Sequence, residues 1–224
     1  MKSLCISIII LNLGSTGLAQ IGSDRGDLDI IFNDLTKKYL SDRRYANVEG
    51  NAFIAEGWSM GSLMLKNGKK FGPLRMKLDL VKQELIYLNG QNNEMIAPAE
   101  EISQFDLMIG QKKLIFKTGY QSIEQQTTNS FYQEVLADTV SLLKFSQKEI
   151  AQRDEFDKKK SFIMYEDYYV YYKEAITPLR NKNSLSKVFP EKNKEISSYI
   201  SDHKVKMKNE EDVVNLVKFI NSQL

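Results

Sequence analysis

The stretch Gly72-Pro73-Leu74-Arg75-Met76-Lys77-Leu78-Asp79-Leu80 decides the fold class. Leu74, Met76, Leu78 and Leu80 alternate with Arg75, Lys77 and Asp79. A period of two sends the apolar set to one face and the charged set to the other, as in a half-buried antiparallel strand. Upstream, Leu63 and Leu65 alternate with Met64 and Lys66, and Asn67-Gly68 offers a hairpin turn. Downstream, Glu84 to Leu88 reads as a strand ended by Asn89-Gly90. Met95 to Ala97, Ser103 to Ile109 and Lys112 to Lys117 continue the pattern, with Gly110-Gln111 as a tight turn. Gln121 to Asn129 is polar and reads as a loop. Phe131 to Ala137 and Thr139 to Phe145 read as paired strands around Asp138. Gln147 to Lys160 reads as charged and solvated, and Ser161 to Lys173 as a strand dense in tyrosine. Short strands at regular spacing predict an antiparallel sandwich or a partly open barrel.

Helical periodicity brackets this β region. Leu28, Ile31, Phe32, Leu35 and Tyr39 share one face of a helix predicted over Asp27 to Leu40. After Pro178, Leu185, Val188 and Phe189 predict a short helical turn, and Ile196, Tyr199 and Ile200 a helix. Val213, Leu216, Val217 and Ile220 predict a last helix capped by Asn209, with Asp212 placed to bond back to its start. The expected chain is mainly β, α+β overall. It comprises a signal peptide over 1–19, a helical lead over 20–49, an antiparallel β domain over 50–178 and a helical tail over 179–224 packed on it.

The first nineteen residues set the expected address. Lys2 precedes an apolar run from Leu4 to Leu13, and the small-residue exit Gly17-Leu18-Ala19 follows. That is the layout of a cleaved secretory signal, with a run too short to span a bilayer. Cys5, the only cysteine, lies inside it and too early to be a lipid anchor. Cleavage after Ala19 leaves no thiol, which excludes disulfides, sulfur-ligated metals and thiolate nucleophiles. The expected location is periplasmic or associated with the outer membrane, without a lipid anchor or a transmembrane helix. The formal net charge of +2 falls to +1 without Lys2, giving no electrostatic footprint for nucleic acid.

The runs Gly50-Asn51-Ala52-Phe53, Trp58 to Gly68 and Leu74 to Asp79 resemble a set of uncharacterised exported proteins of Bacteroidetes-type bacteria. So do the segment Phe131 to Leu136 and the Lys-rich end from Lys187 to Asn221. Members often carry Gly near position 138 and Tyr near position 78, where this chain has Asp138 and Leu78. The resemblance implies an exported β domain with a helical tail. It brings no assigned activity and no catalytic residues.

No chemical constellation stands out. His203 is the only histidine and sits among lysines, without the partners that a general base or a zinc site needs. Asp154-Glu155-Phe156-Asp157 lacks the turn glycine of a calcium loop. No phosphate loop or dinucleotide fingerprint occurs. The expectation is therefore no catalytic residue, no metal and no cofactor. The best binding candidates are aromatic. In a strand, Tyr165, Tyr169 and Tyr171 share one face, and Phe162, Tyr168 and Tyr172 the other. Tyrosine joins flat apolar area to a polar tip, which suits partner recognition. Trp58, the only tryptophan, is the second candidate. The Lys-rich tail is diluted by Glu191, Glu195, Glu210, Glu211 and Asp212, and reads as a solvated face. The leading expectation is an exported, non-enzymatic binding or scaffold protein that meets another envelope protein. The alternatives are a β-barrel carrier of a small lipid or glycan and a carboxylate-dependent hydrolase.

Overall fold

The computed structural model describes residues 44–152 and 159–224, together with Leu28 and Phe32. The signal segment and the Asp154 to Asp157 run lie outside the described residues. Leu28 and Phe32 are helical and buried.

The described strands are β1 (Val48–Glu49), β2 (Ser59–Leu65), β3 (Lys70–Asp79), β4 (Glu84–Leu88), β5 (Glu94–Ala97), β6 (Ile102–Ile109), β7 (Lys112–Lys117), β8 (Tyr132–Leu136), β9 (Ser141–Gln152), β10 (Lys160–Tyr172) and β11 (Ala175–Pro178). They form one open sheet in the order β5-β4-β3-β2-β6-β7-β8-β9-β10, with β1 and β11 both on the outer edge of β10. Neighbours are antiparallel, except that β1 runs parallel to β10. The described strands belong to a single mixed sheet that does not close. Register slips at Gly61/Leu63, Met64/Leu65 and Glu134/Leu136 interrupt its ladders, and such irregularities add local twist. The helices α1 (Asn193–Asp202) and α2 (Glu210–Ser222) lie on one face.

The alternation of β3 builds the first core. Leu74, Met76 and Leu78 are at most 1% exposed and meet Leu63, Leu65, Phe105, Leu107 and Phe116 from the neighbouring strands. Leu28 and Phe32 fill the same core, Phe32 meeting the Tyr87 ring edge-on at 5.8 Å. A second core lies between α1, α2 and one face of β8–β10, where Leu142, Tyr168 and Val170 meet Ile196, Val213, Leu216 and Val217. A third, largely aromatic core covers the opposite face, with Tyr120, Tyr132, Leu143, Phe145 and Tyr169.

Two polar devices hold these parts together. Asp79, fully buried at the end of β3, accepts from the main-chain amides of Val81 and Lys82 at 2.9 and 3.0 Å and from the Tyr45 hydroxyl at 2.7 Å. Arg44 lies 3.4 Å from the same carboxylate and pairs with Glu84. A buried carboxylate is tolerable when several donors replace its water. The strap from Arg44 to Ile54 thereby joins β3 and β4. It is tied to β9 by the Lys148 ammonium, which donates to the carbonyls of Asn51 and Phe53 at 2.6 and 2.7 Å. Burial lowers the Lys148 pKa, with Asp79 opposing. At the other end, the Asn221 side chain exchanges both main-chain hydrogen bonds with Val140, at 2.8 and 2.9 Å, and so anchors α2 to the start of β9.

Two local expectations are corrected. The strand expected to end at Phe145 runs on: β9 continues to Gln152, because Phe145, Lys148 and Ile150 keep the ladder with Asp167, Met164 and Phe162. Asn209 caps α2 as expected, accepting from the Asp212 amide at 3.0 Å. The Asp212 carboxylate, however, accepts from the Lys206 amide at 2.8 Å.

Candidate partner-binding edge

The tyrosine-rich strand β10 passes through two environments. Its register with β9 places even-numbered residues toward the helices and odd-numbered residues toward the aromatic core. Tyr168 is 3% exposed and enters the helical core, its hydroxyl 3.5 Å from Glu210. Tyr169 is 1% exposed and meets the Tyr132 ring edge-on at 5.4 Å. Tyr171 is half-buried against Tyr120, and Tyr172 half-buried against Phe189. Tyr165 is the exposed member, at 42%. The five candidates therefore do not form one platform. Burial raises the phenol pKa of Tyr168 and Tyr169, with neighbouring acidic and phenolic groups adding to it.

Trp58 sits just before β2 and is half-buried. Its ring face carries the Lys77 ammonium at 4.0 Å, and that ammonium also lies 3.2 Å from Glu94. The ring is thus engaged within the fold, in a cation–π contact.

The distal half of β10 has a different character. Ile163, Met164 and Tyr165 are each 42% exposed, and Ile150, opposite Phe162, is 40% exposed. Three consecutive large apolar residues place exposed apolar groups on both faces. Among the described residues the outer edge of this half is also open. β1 pairs only with Lys160 and Ser161, and β11 only with Tyr169 to Tyr172. The Leu179 amide donates to the Tyr168 carbonyl at 2.7 Å, so the main chain of Tyr168 faces outward. Alternation then turns the amides and carbonyls of Met164 and Glu166 outward too, while those of Ile163, Tyr165 and Asp167 face β9. Among the described residues no strand pairs with this edge between Ser161 and Tyr168. A cleft of about 310 Å3 closes the slot at the β11 end, where Glu166 and Asp167 face Arg180 and Lys208.

Unpaired strand edges carry a row of donors and acceptors that accepts another strand, and folded proteins ordinarily blunt them. Among the described residues of the slot, the charged side chains are Glu166 and Asp167, and both lie at one end. The sequence signal for this edge is the run Ile163-Met164-Tyr165, which breaks the apolar–polar alternation that β3 keeps.

His203 ends α1, stacked on Tyr199 at 4.1 Å with its Nδ1 3.0 Å from the Tyr199 carbonyl. Among the described residues no group of three or more His, Cys, Asp or Glu side chains could hold a metal ion. No described helix is long and apolar enough to cross a membrane. Comparison of the chain with protein-family models, curated proteins and solved structures finds no match.

Proposed function

We propose that this protein is an exported, non-enzymatic binding module that docks another envelope protein through the open edge of β10. The observation that carries this reading is the slot from Phe162 to Asp167, with outward main-chain groups at Met164 and Glu166 and exposed apolar side chains on both faces. In strand addition, main-chain hydrogen bonds supply affinity and alternate side chains supply selectivity. The slot is bounded by β1 and β11 on the same edge. It admits a single narrow segment, such as a tail or loop, and not the full edge of a second sheet. Two copies pairing through β10 would drive each copy's β1 into the other's β11.

Met164→Pro tests this, because it removes an outward amide and leaves the ladder to β9 intact. Tagged protein is recovered from its native envelope under mild detergent, as wild type and as Met164→Pro, with circular dichroism confirming that both fold. The reading expects a partner held by the wild type and lost by Met164→Pro. A wild type that emerges alone, or a partner retained equally by both, would overturn it.

A further inference from the structure

A second concavity lies on the outer face of β2, β3 and β6, remote from β10. It arises from two irregularities. Against β3, Gly61 pairs with Leu74 and Leu63 with Phe71, so Ser62 stands opposite two residues, Gly72 and Pro73. Against β6, the ladder covers Leu63 to Leu65 only, and Gly61 lies against the Asp106 main chain. A Cβ on Gly61 would sit 1.8 Å from the Asp106 carbonyl oxygen, so only glycine allows this approach. The result is a groove of about 700 Å3, a volume typical of small-molecule sites.

Its lining has a definite chemistry. Met60, Met64 and Met108 line it with Phe71 and Pro73. Met60 and Met108 are 42% and 40% exposed. Methionine side chains are unbranched and polarisable, and adapt to chains of varied shape. On the floor, the Ser62 hydroxyl donates to the Asp106 carboxylate, which is 5% exposed and also lies 3.3 Å from the Lys113 ammonium. The negative charge in the groove is thus answered by the protein's own groups. Lys70 is exposed on the rim and has no partner among the described residues. Lys70 and Lys113 against Asp106 leave one net positive charge beside an apolar wall.

We propose that this groove binds a single-chain anionic amphiphile, an alkyl carboxylate, as a free monomer. The carboxylate lies at Lys70 and the chain along the methionines. A concave groove takes one chain at a time. A bilayer surface would instead meet protruding apolar groups. The inference is independent of the β10 edge.

Isothermal titration of the full protein with decanoate, below its micelle concentration, tests it against decanol and against anionic phospholipid vesicles. The proposal expects one saturable decanoate site per chain, at least about tenfold tighter than decanol. Lys70→Glu should weaken decanoate by about tenfold or more and leave decanol unchanged. Met108→Gln, at an exposed position, should weaken both. Circular dichroism confirms that both variants fold. No saturable decanoate binding, equal affinity for decanol, indifference to Lys70→Glu, or binding to vesicles in place of decanoate would each overturn it.

Discussion

The two halves of β10 follow one alternation and end in opposite environments. From Tyr168 to Tyr172 the strand is covered on both faces, by the helical tail on one and by the Tyr120–Tyr132 cluster on the other. From Ile163 to Asp167 it is exposed on both faces, and among the described residues no strand pairs with its outer edge. Alternation decides which side chains share a face. It does not decide whether anything covers that face. Cover comes from segments distant in the chain: the loop carrying Tyr120 and Gln126, and the helices α1 and α2. Among the described residues, no strand continues this cover along the edge beyond β11 until β1.

The contrast predicts a graded set of effects. Tyr169→Ala should cost about 3–5 kcal/mol in urea denaturation, because it empties a fully buried aromatic site. Asn221→Ala should cost about 1–3 kcal/mol in the same assay, since it strands the Val140 amide and carbonyl beneath α2. Raising the pH should break the covered half from within. Burial raises the phenol pKa of Tyr120, Tyr132, Tyr168 and Tyr169, that of Tyr132 to about 12 from the ordinary 10.0. The folded state holds these protons more tightly than the unfolded chain. Their stabilisation is therefore complete below about pH 10 and is lost as the pH rises through the raised folded-state values, that of Tyr132 being about 12. Phenolate absorbance and loss of ellipticity should then rise together. Ionisation of all eleven tyrosines in a fully folded protein would show that the aromatic core is open to water. Tyr165→Ala, on the uncovered half, should change stability by less than about 0.5 kcal/mol. A cost near that of Tyr169→Ala would erase the contrast.

Much of this fold is legible in the sequence, for particular reasons. Leu74, Met76 and Leu78 fall on one face because β3 packs on a core from one side only. Gly110, at a φ of 61°, makes the tight turn between β6 and β7. Asn209 caps α2 because its side chain can replace a missing helical acceptor. The extension of β9 past Gln147 is hidden, because Gln147, Lys148 and Glu149 carry polar side chains on both faces and their strand character comes from pairing with β10. The fate of the tyrosines is also hidden. Tyr165 and Tyr169 share a face, yet one is exposed and the other buried by Tyr132, which stands thirty-seven positions away. The pairing of Ser62 with Asp106 spans forty-four positions and continues the register of Leu63 with Phe105, a long-range pairing that no local pattern announces.

The open edge is tested most directly by amide hydrogen exchange along β10, read residue by residue by NMR. The amides of Met164 and Glu166 should exchange rapidly, while those of Ile163, Tyr165 and Asp167, bonded to β9, are protected. Protection at all five would mean that the edge is already covered, and exchange at all five that the distal arm is not a formed ladder. Either result would contradict an edge held ready for a partner strand.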